Sequence, residues 1–177
     1  MSTRKARKSR SGSSKPGGVL DTIDNLVHYL DNDVVYLRGV NAVNVIRDAQ
    51  ARRIETPNGT MTTLASPSQG KSGQAVWRVE ARPGMAGPVH AFDQESVWTW
   101  IDGRGAVQAG EERIEVAAGD TMVLPAGVVR QLFADEERGF TAIVAAPAGV
   151  QVYNPEGLEA CHLVPSGTIT MPLPWAE

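Results

Sequence analysis

The residues of this chain that could do chemistry gather in one short run, GPVHAFDQESVWTWIDG (Gly87 to Gly103), and at one position further on, Arg130. His90 is one of only three histidines. An imidazole can ligate a metal or act as a general acid or base, because its ordinary pKa lies near neutrality. Asp93, Glu95 and Ser96 follow it closely, as do Trp98 and Trp100. Carboxylates beside an imidazole suit a divalent ion, which needs several N, O or S donors converging on it. The tryptophans, with Phe92 and Trp77, supply either flat walls for a planar ligand or simply a hydrophobic core.

Strands must position these groups. In a strand, residues of equal parity share a face, which puts His90 and Phe92 together on one strand and Ser96, Trp98 and Trp100 together on the next. From Arg53 onward the chain reads as short strands broken by turn signals. The expected strands are 60–65, 74–82, 88–92, 95–101, 105–109, 111–116, 121–124, 128–134 and 139–146. Asp102-Gly103, Gly119-Asp120 and Ala126-Gly127 are among the expected turns, and Gly103-Arg104-Gly105 reads as a hairpin turn. QAVWRVEAR shows the alternation, with Ala75, Trp77 and Val79 facing one way and Arg78 and Glu80 the other. Many short strands without intervening helices mean an all-β sandwich or a closed jelly-roll barrel.

Around that barrel the sequence divides further. Residues 1–18 hold six basic residues and no acid, leaving 11 basic against 20 acidic residues elsewhere, a balance of −9. With almost no apolar residue, that tail is expected to be disordered. It is the only part with the charge to touch nucleic acid, but no aromatic residue interleaves it. Residues 19–56 are an N-terminal helix and strand segment, with Leu20, Ile23, Val27 and Leu30 at helical spacing over 20–30. The barrel spans 57–148. The segment 149–177 is an extended arm, lying across the barrel or in a neighbouring subunit, with Trp175 as its anchor. No apolar run is long enough to span a membrane, no h-region follows the basic start, and one cysteine permits no internal disulfide. These features set the expectation of a cytoplasmic protein.

The spacing resembles that of the cupin superfamily, small jelly-roll barrels whose first motif reads G-x5-H-x-H-x3-E-x6-G. Gly84, His90, Phe92, Ser96 and Gly103 fall on it without a gap. The second motif reads G-x5-P-x-G-x2-H-x3-N, and Gly119, Pro125, Gly127, Arg130 and Ala134 fall on that. The resemblance covers residues 57–146 and implies a cupin barrel, often paired into homodimers by exchange of edge strands or arms. It also implies where a metal would sit, namely the places occupied here by His90, Phe92, Ser96 and Arg130. Phenylalanine cannot coordinate, serine is a poor neutral ligand, and arginine repels a cation. No metal cofactor is therefore expected, unless a ligand set is rebuilt from His90, Asp93, Glu95 and His162.

The expectation is a small-molecule-binding cupin, working as a metal-independent isomerase, cyclase or lyase on a carbonyl- or acid-bearing metabolite. His90 and Arg130 are its catalytic candidates. Phe92, Ser96, Trp98, Trp100, Glu95 and Trp77 are its substrate-binding candidates. Arg130 either clamps an anionic group of the ligand or pairs internally with Glu95, Asp93 or Glu80. The alternatives are a non-catalytic binding or sensor cupin and a metal-dependent dioxygenase or isomerase with an atypical ligand set.

Overall fold

The computed structural model describes residues 27–31, 34–37, 43–155 and 167–177. The basic tail, Cys161 and His162 lie outside them. The chain divides into two compact units, residues 1–43 and 44–177. In the first, β1 (Val27–Asp31) and β2 (Val34–Leu37) pair antiparallel, with Leu30 opposite Val35 and Asp31 opposite Val34. This corrects the helix expected over 20–30, since residues 27–30 are strand; residues 20–26 fall outside the described part. Val27 and Tyr29 favour strands, and VVYL supplies ladder partners that outweigh a four-point helical stripe.

After β3 (Val43–Asn44), the described residues of the second unit form a single 3-10 turn at Asp48–Gln50 and eleven strands. These are β4 (Arg53–Thr56), β5 (Gly59–Ala65), β6 (Gln74–Ala81), β7 (Ala91–Phe92), β8 (Ser96–Ala109), β9 (Glu112–Ala117) and β10 (Thr121–Leu124), then β11 (Arg130–Ala134), β12 (Phe140–Pro147), β13 (Gln151–Asn154) and β14 (Gly167–Pro172). One sheet runs β10-β8-β12-β6-β5-β4, with β9 and β11 also paired to β8, and a second runs β14-β13-β7. The strand period sets the interior. Ala75, Trp77 and Val79 of β6 face Ala142, Val144 and Ala146 of β12 in one buried cluster, while the residues between them are less covered.

β8 departs from expectation. Residues 95–101 and 105–109 are not two strands around a hairpin turn but parts of one strand fourteen residues long. Its first half pairs with β10 and β12, its second with β9 and β11. The register against β12 slips between Thr141 and Ala142, opposite Trp100 and Asp102. Gly103 sits beside the slip with φ of 71°. A bulge of this kind bends a strand without reversing it, so β8 passes from its pairing with β10 and β12 to its pairing with β9 and β11. A Cβ at Gly103 would lie 2.2 Å from the Gly139 carbonyl oxygen, so glycine is required there for space as well as conformation.

The C-terminal segment joins the same barrel. β14 pairs with β13, and β13 with β7. Beyond β14, Leu173, Trp175 and Ala176 are buried in the core cluster. Polar bonds hold the segment down. Thr63 Oγ1 donates to the Trp175 carbonyl at 2.8 Å. The main-chain oxygen of Glu177 accepts from Arg52 Nη2 at 2.7 Å, from Ser66 Oγ at 2.5 Å and from Ser68 Oγ. Arg52→Leu is expected to lower stability in urea denaturation by about 1 kcal/mol, the usual net worth of such a bond. No change would mean that burial of Trp175 and the bonds from Thr63, Ser66 and Ser68 seat the segment without Arg52.

Candidate functional site

A cavity of about 300 Å³ opens within the barrel. Trp77 and Val79 of β6, Phe92 of β7, Trp98 of β8 and Leu132 of β11 line it, together with His90. The C-terminal strap supplies another wall through Met171–Trp175. Among the described residues, His90 is the one titratable side chain on a surface otherwise almost wholly apolar.

His90 is held by its neighbours. It forms a two-way backbone bridge with Arg130, its N–H donating to the Arg130 carbonyl at 3.1 Å and its own carbonyl accepting from the Arg130 N–H at 3.0 Å. Its ring Nδ1 lies 2.9 Å from the Pro88 carbonyl oxygen. A carbonyl can only accept, so Nδ1 carries the proton and the neutral ring keeps its lone pair on Nε2. Nε2 has no partner among the described residues. Burial pushes the His90 pKa down to about 3, the Arg130 charge acts in the same direction, and the Pro88 bond opposes both. The imidazole is therefore neutral at physiological pH.

Arg130 lies elsewhere than expected. Its side chain is 2% exposed and does not line the cavity. The guanidinium stacks on the Phe92 ring, 3.7 Å from its centroid, and Nη1 donates to the His90 carbonyl at 3.2 Å. Among the described residues Nε and Nη2 are buried without a partner. Neither internal pairing with Glu95, Asp93 or Glu80 nor a clamp facing the hollow is formed. Inward parity brought the side chain to the interior, but the face of Phe92 took the charge. Burial lowers the Arg130 pKa to about 9, with Tyr153 opposing.

The other expected residues divide between chamber, core and surface. Trp77, Phe92 and Trp98 line the cavity. Ser96 does not; it is 1% exposed and its Oγ accepts the Trp98 indole N–H at 3.2 Å, which fixes that ring. Trp100 faces inward as parity requires, yet packs between Trp98 and Phe140, with ring centroids 6.2 and 6.1 Å away, outside the cavity wall. Glu95 is exposed, one residue off the inward face. Asp93 is exposed too, and its Oδ1 accepts the Gln151 N–H at 2.7 Å, tying the end of β7 to β13. The strap wall was not anticipated as part of a site, although the apolar run MPLPWA was its signal.

The metal-ligand places do not fit a metal. Of the four, only His90 offers a free donor atom; Phe92 has none, Ser96 Oγ is taken by Trp98, and Arg130 brings a positive charge. Among the described residues no three His, Cys, Asp or Glu side chains converge.

The barrel has a cupin-type fold. Its fold matches the polyketide cyclase RemF from Streptomyces resistomycificus, at TM-score 0.52 and 16% identity over 59% of this chain and 79% of that one. It matches the cupin-2 domain protein Rru_A2000 from Rhodospirillum rubrum at 0.52 and 16%, over 60% and 75%. An RmlC-like cupin from Shewanella frigidimarina matches at 0.51 and 18%, over 59% and 91%. Identities this low establish the fold alone. No family model matches the sequence, and no curated protein does. No helix among the described residues is long and apolar enough to cross a membrane.

Proposed function

We propose that the barrel is a binding chamber for a small, largely apolar, ring-bearing molecule, and that Nε2 of His90 makes its polar contact. One observation carries this reading: the wall around His90 is built from aromatic, aliphatic and thioether side chains. Burying an apolar ligand there gains roughly 25 cal/mol per Å² removed from water, and a single polar group orients it. The acid-bearing ligand of the sequence reading finds no support, since Arg130 does not line the cavity.

The test is calorimetric titration with 2-naphthol, a ring system small enough for the cavity. Micromolar binding is expected, and Val79→Phe, which fills the hollow, should weaken it at least about tenfold. Unchanged binding in a folded Val79→Phe variant would place the probe elsewhere and sink the reading.

A catalytic reading, as an isomerase, cyclase or lyase, has the likeness to the RemF fold in its favour. It would use the same Nε2 as proton acceptor. A base serves best with a pKa near the working pH, and one held at about 3 is a weak acceptor. Binding therefore stands as the lead. Conversion of a bound molecule, lost in His90→Gln while binding persists, would reverse the order.

A further inference from the structure

We propose that the chamber selects an uncharged ring-bearing molecule that presents a hydroxyl or N–H donor to Nε2 of His90, and that it rejects carboxylates and ammonium groups. This rests on the binding-chamber reading and narrows it to a ligand class. Three features lead there. The Pro88 carbonyl, 2.9 Å from Nδ1, fixes the proton on the far side of the ring, so Nε2 is an acceptor only and calls for a donor. A ligand group that also only accepts, such as an ether or carboxylate oxygen, would face a lone pair and leave both groups unpaired.

The second feature is the wall. Among the described residues no Asp, Glu, Lys or Arg lines the cavity, so an ionised ligand would lose its hydration without a counter-charge. Of the other polar lining groups, Thr56 has its hydroxyl engaged with the Gly59 carbonyl at 2.9 Å, Asn58 offers a neutral amide, the Trp98 N–H is given to Ser96 Oγ, and the Trp175 Nε1–H is buried without a partner among the described residues. The third is the placement of Arg130. Its guanidinium is occupied against the Phe92 ring and the His90 carbonyl, with its free nitrogens buried outside the chamber. It therefore offers an anion no direct hydrogen bond. Its positive charge also disfavours a proton on His90, which keeps the acceptor an acceptor.

The experiment is calorimetric titration of the full-length protein with four probes of one ring system: 2-naphthol, 2-methoxynaphthalene, 2-naphthoate and 2-naphthylmethylammonium. At pH 7 the naphthol is expected to bind at least about tenfold more tightly than the methoxy analogue, and both ions at least about a hundredfold more weakly than the naphthol. In His90→Leu the preference for naphthol over its methoxy analogue should fall to within about twofold. Trp98→Phe, which trims a wall but leaves Nε2, should keep the preference while weakening every uncharged probe. This variant also keeps the proposal testable if His90→Leu does not fold. Equal binding of naphthol and methoxynaphthalene, or naphthoate binding as well as naphthol, overturns the proposal while leaving the chamber standing. Failure of every uncharged probe to bind overturns the chamber reading and this one with it.

Discussion

Replacing Arg130 with methionine is expected to stabilise the barrel, by about 2 kcal/mol at pH 7 in urea denaturation. The guanidinium is buried, and among the described residues it faces no acid and Nε and Nη2 have no partner. Two unmade bonds cost about 1–3 kcal/mol each, and desolvation of the charge adds several more. Against this stand one bond to the His90 carbonyl and the stack on Phe92, worth about 2 kcal/mol when desolvated. The costs prevail, and methionine fills similar space without them. Burial lowers the Arg130 pKa to about 9 from a far higher ordinary value, so between these values the unfolded chain holds more protons than the folded one. Wild-type stability gains from that difference as pH rises, and the penalty is complete below about 9. The variant's advantage should thus be level near pH 7 to 8 and shrink above about 9. A loss of stability of similar size would reveal an anionic partner for the guanidinium and restore the clamp.

Acid should expose His90 in the opposite part of the pH range. Its pKa falls from an ordinary 6.5 to about 3 on folding, so the unfolded chain again binds the extra proton between those values. Stability is then fully retained above 6.5 and lost as pH falls toward 3, by about 1.4 kcal/mol per pH unit. Other groups titrate in this window, so the decisive quantity is the difference from a variant without the imidazole. Between pH 6.5 and 4.5, wild type should lose about 2 kcal/mol more than His90→Gln. Parallel stability curves for the two proteins would mean that His90 charges freely in the folded state, and the neutral acceptor would go with it.

The fold was legible because its punctuation is chemical. Gly84, Gly103, Gly119 and Gly127, the glycines of the two spacing motifs, all take positive φ in the structure. Such positions are marked in a sequence by the residue that tolerates them. Gly103 also shows the limit, because a positive φ serves a bulge as readily as a turn, and only the pairing of β8 with four other strands decides between them. At the site, parity placed His90, Phe92, Ser96, Trp98 and Trp100 inside, and the motif resemblance placed Arg130 with them. Parity gives a face and not a depth, so it could not tell that Trp98 meets the hollow while Trp100 packs behind it. Nor could it tell that Arg130 would settle on Phe92. The strap was hidden for another reason: its contacts with Arg52, Thr63 and Ser66 span more than a hundred residues.

Those contacts separate two properties of the chamber. The barrel strands hold their lining side chains through sheet ladders, whereas residues 173–175 are seated by side-chain bonds from Arg52, Thr63, Ser66 and Ser68 and by the burial of Trp175. A wall fastened in this way opens locally at lower free energy than the barrel unfolds. How tightly a molecule is held then depends on the barrel, while how long it stays depends on the strap. Changes at Arg52 would alter residence time through association and dissociation rates together, leaving the ratio between them nearly untouched.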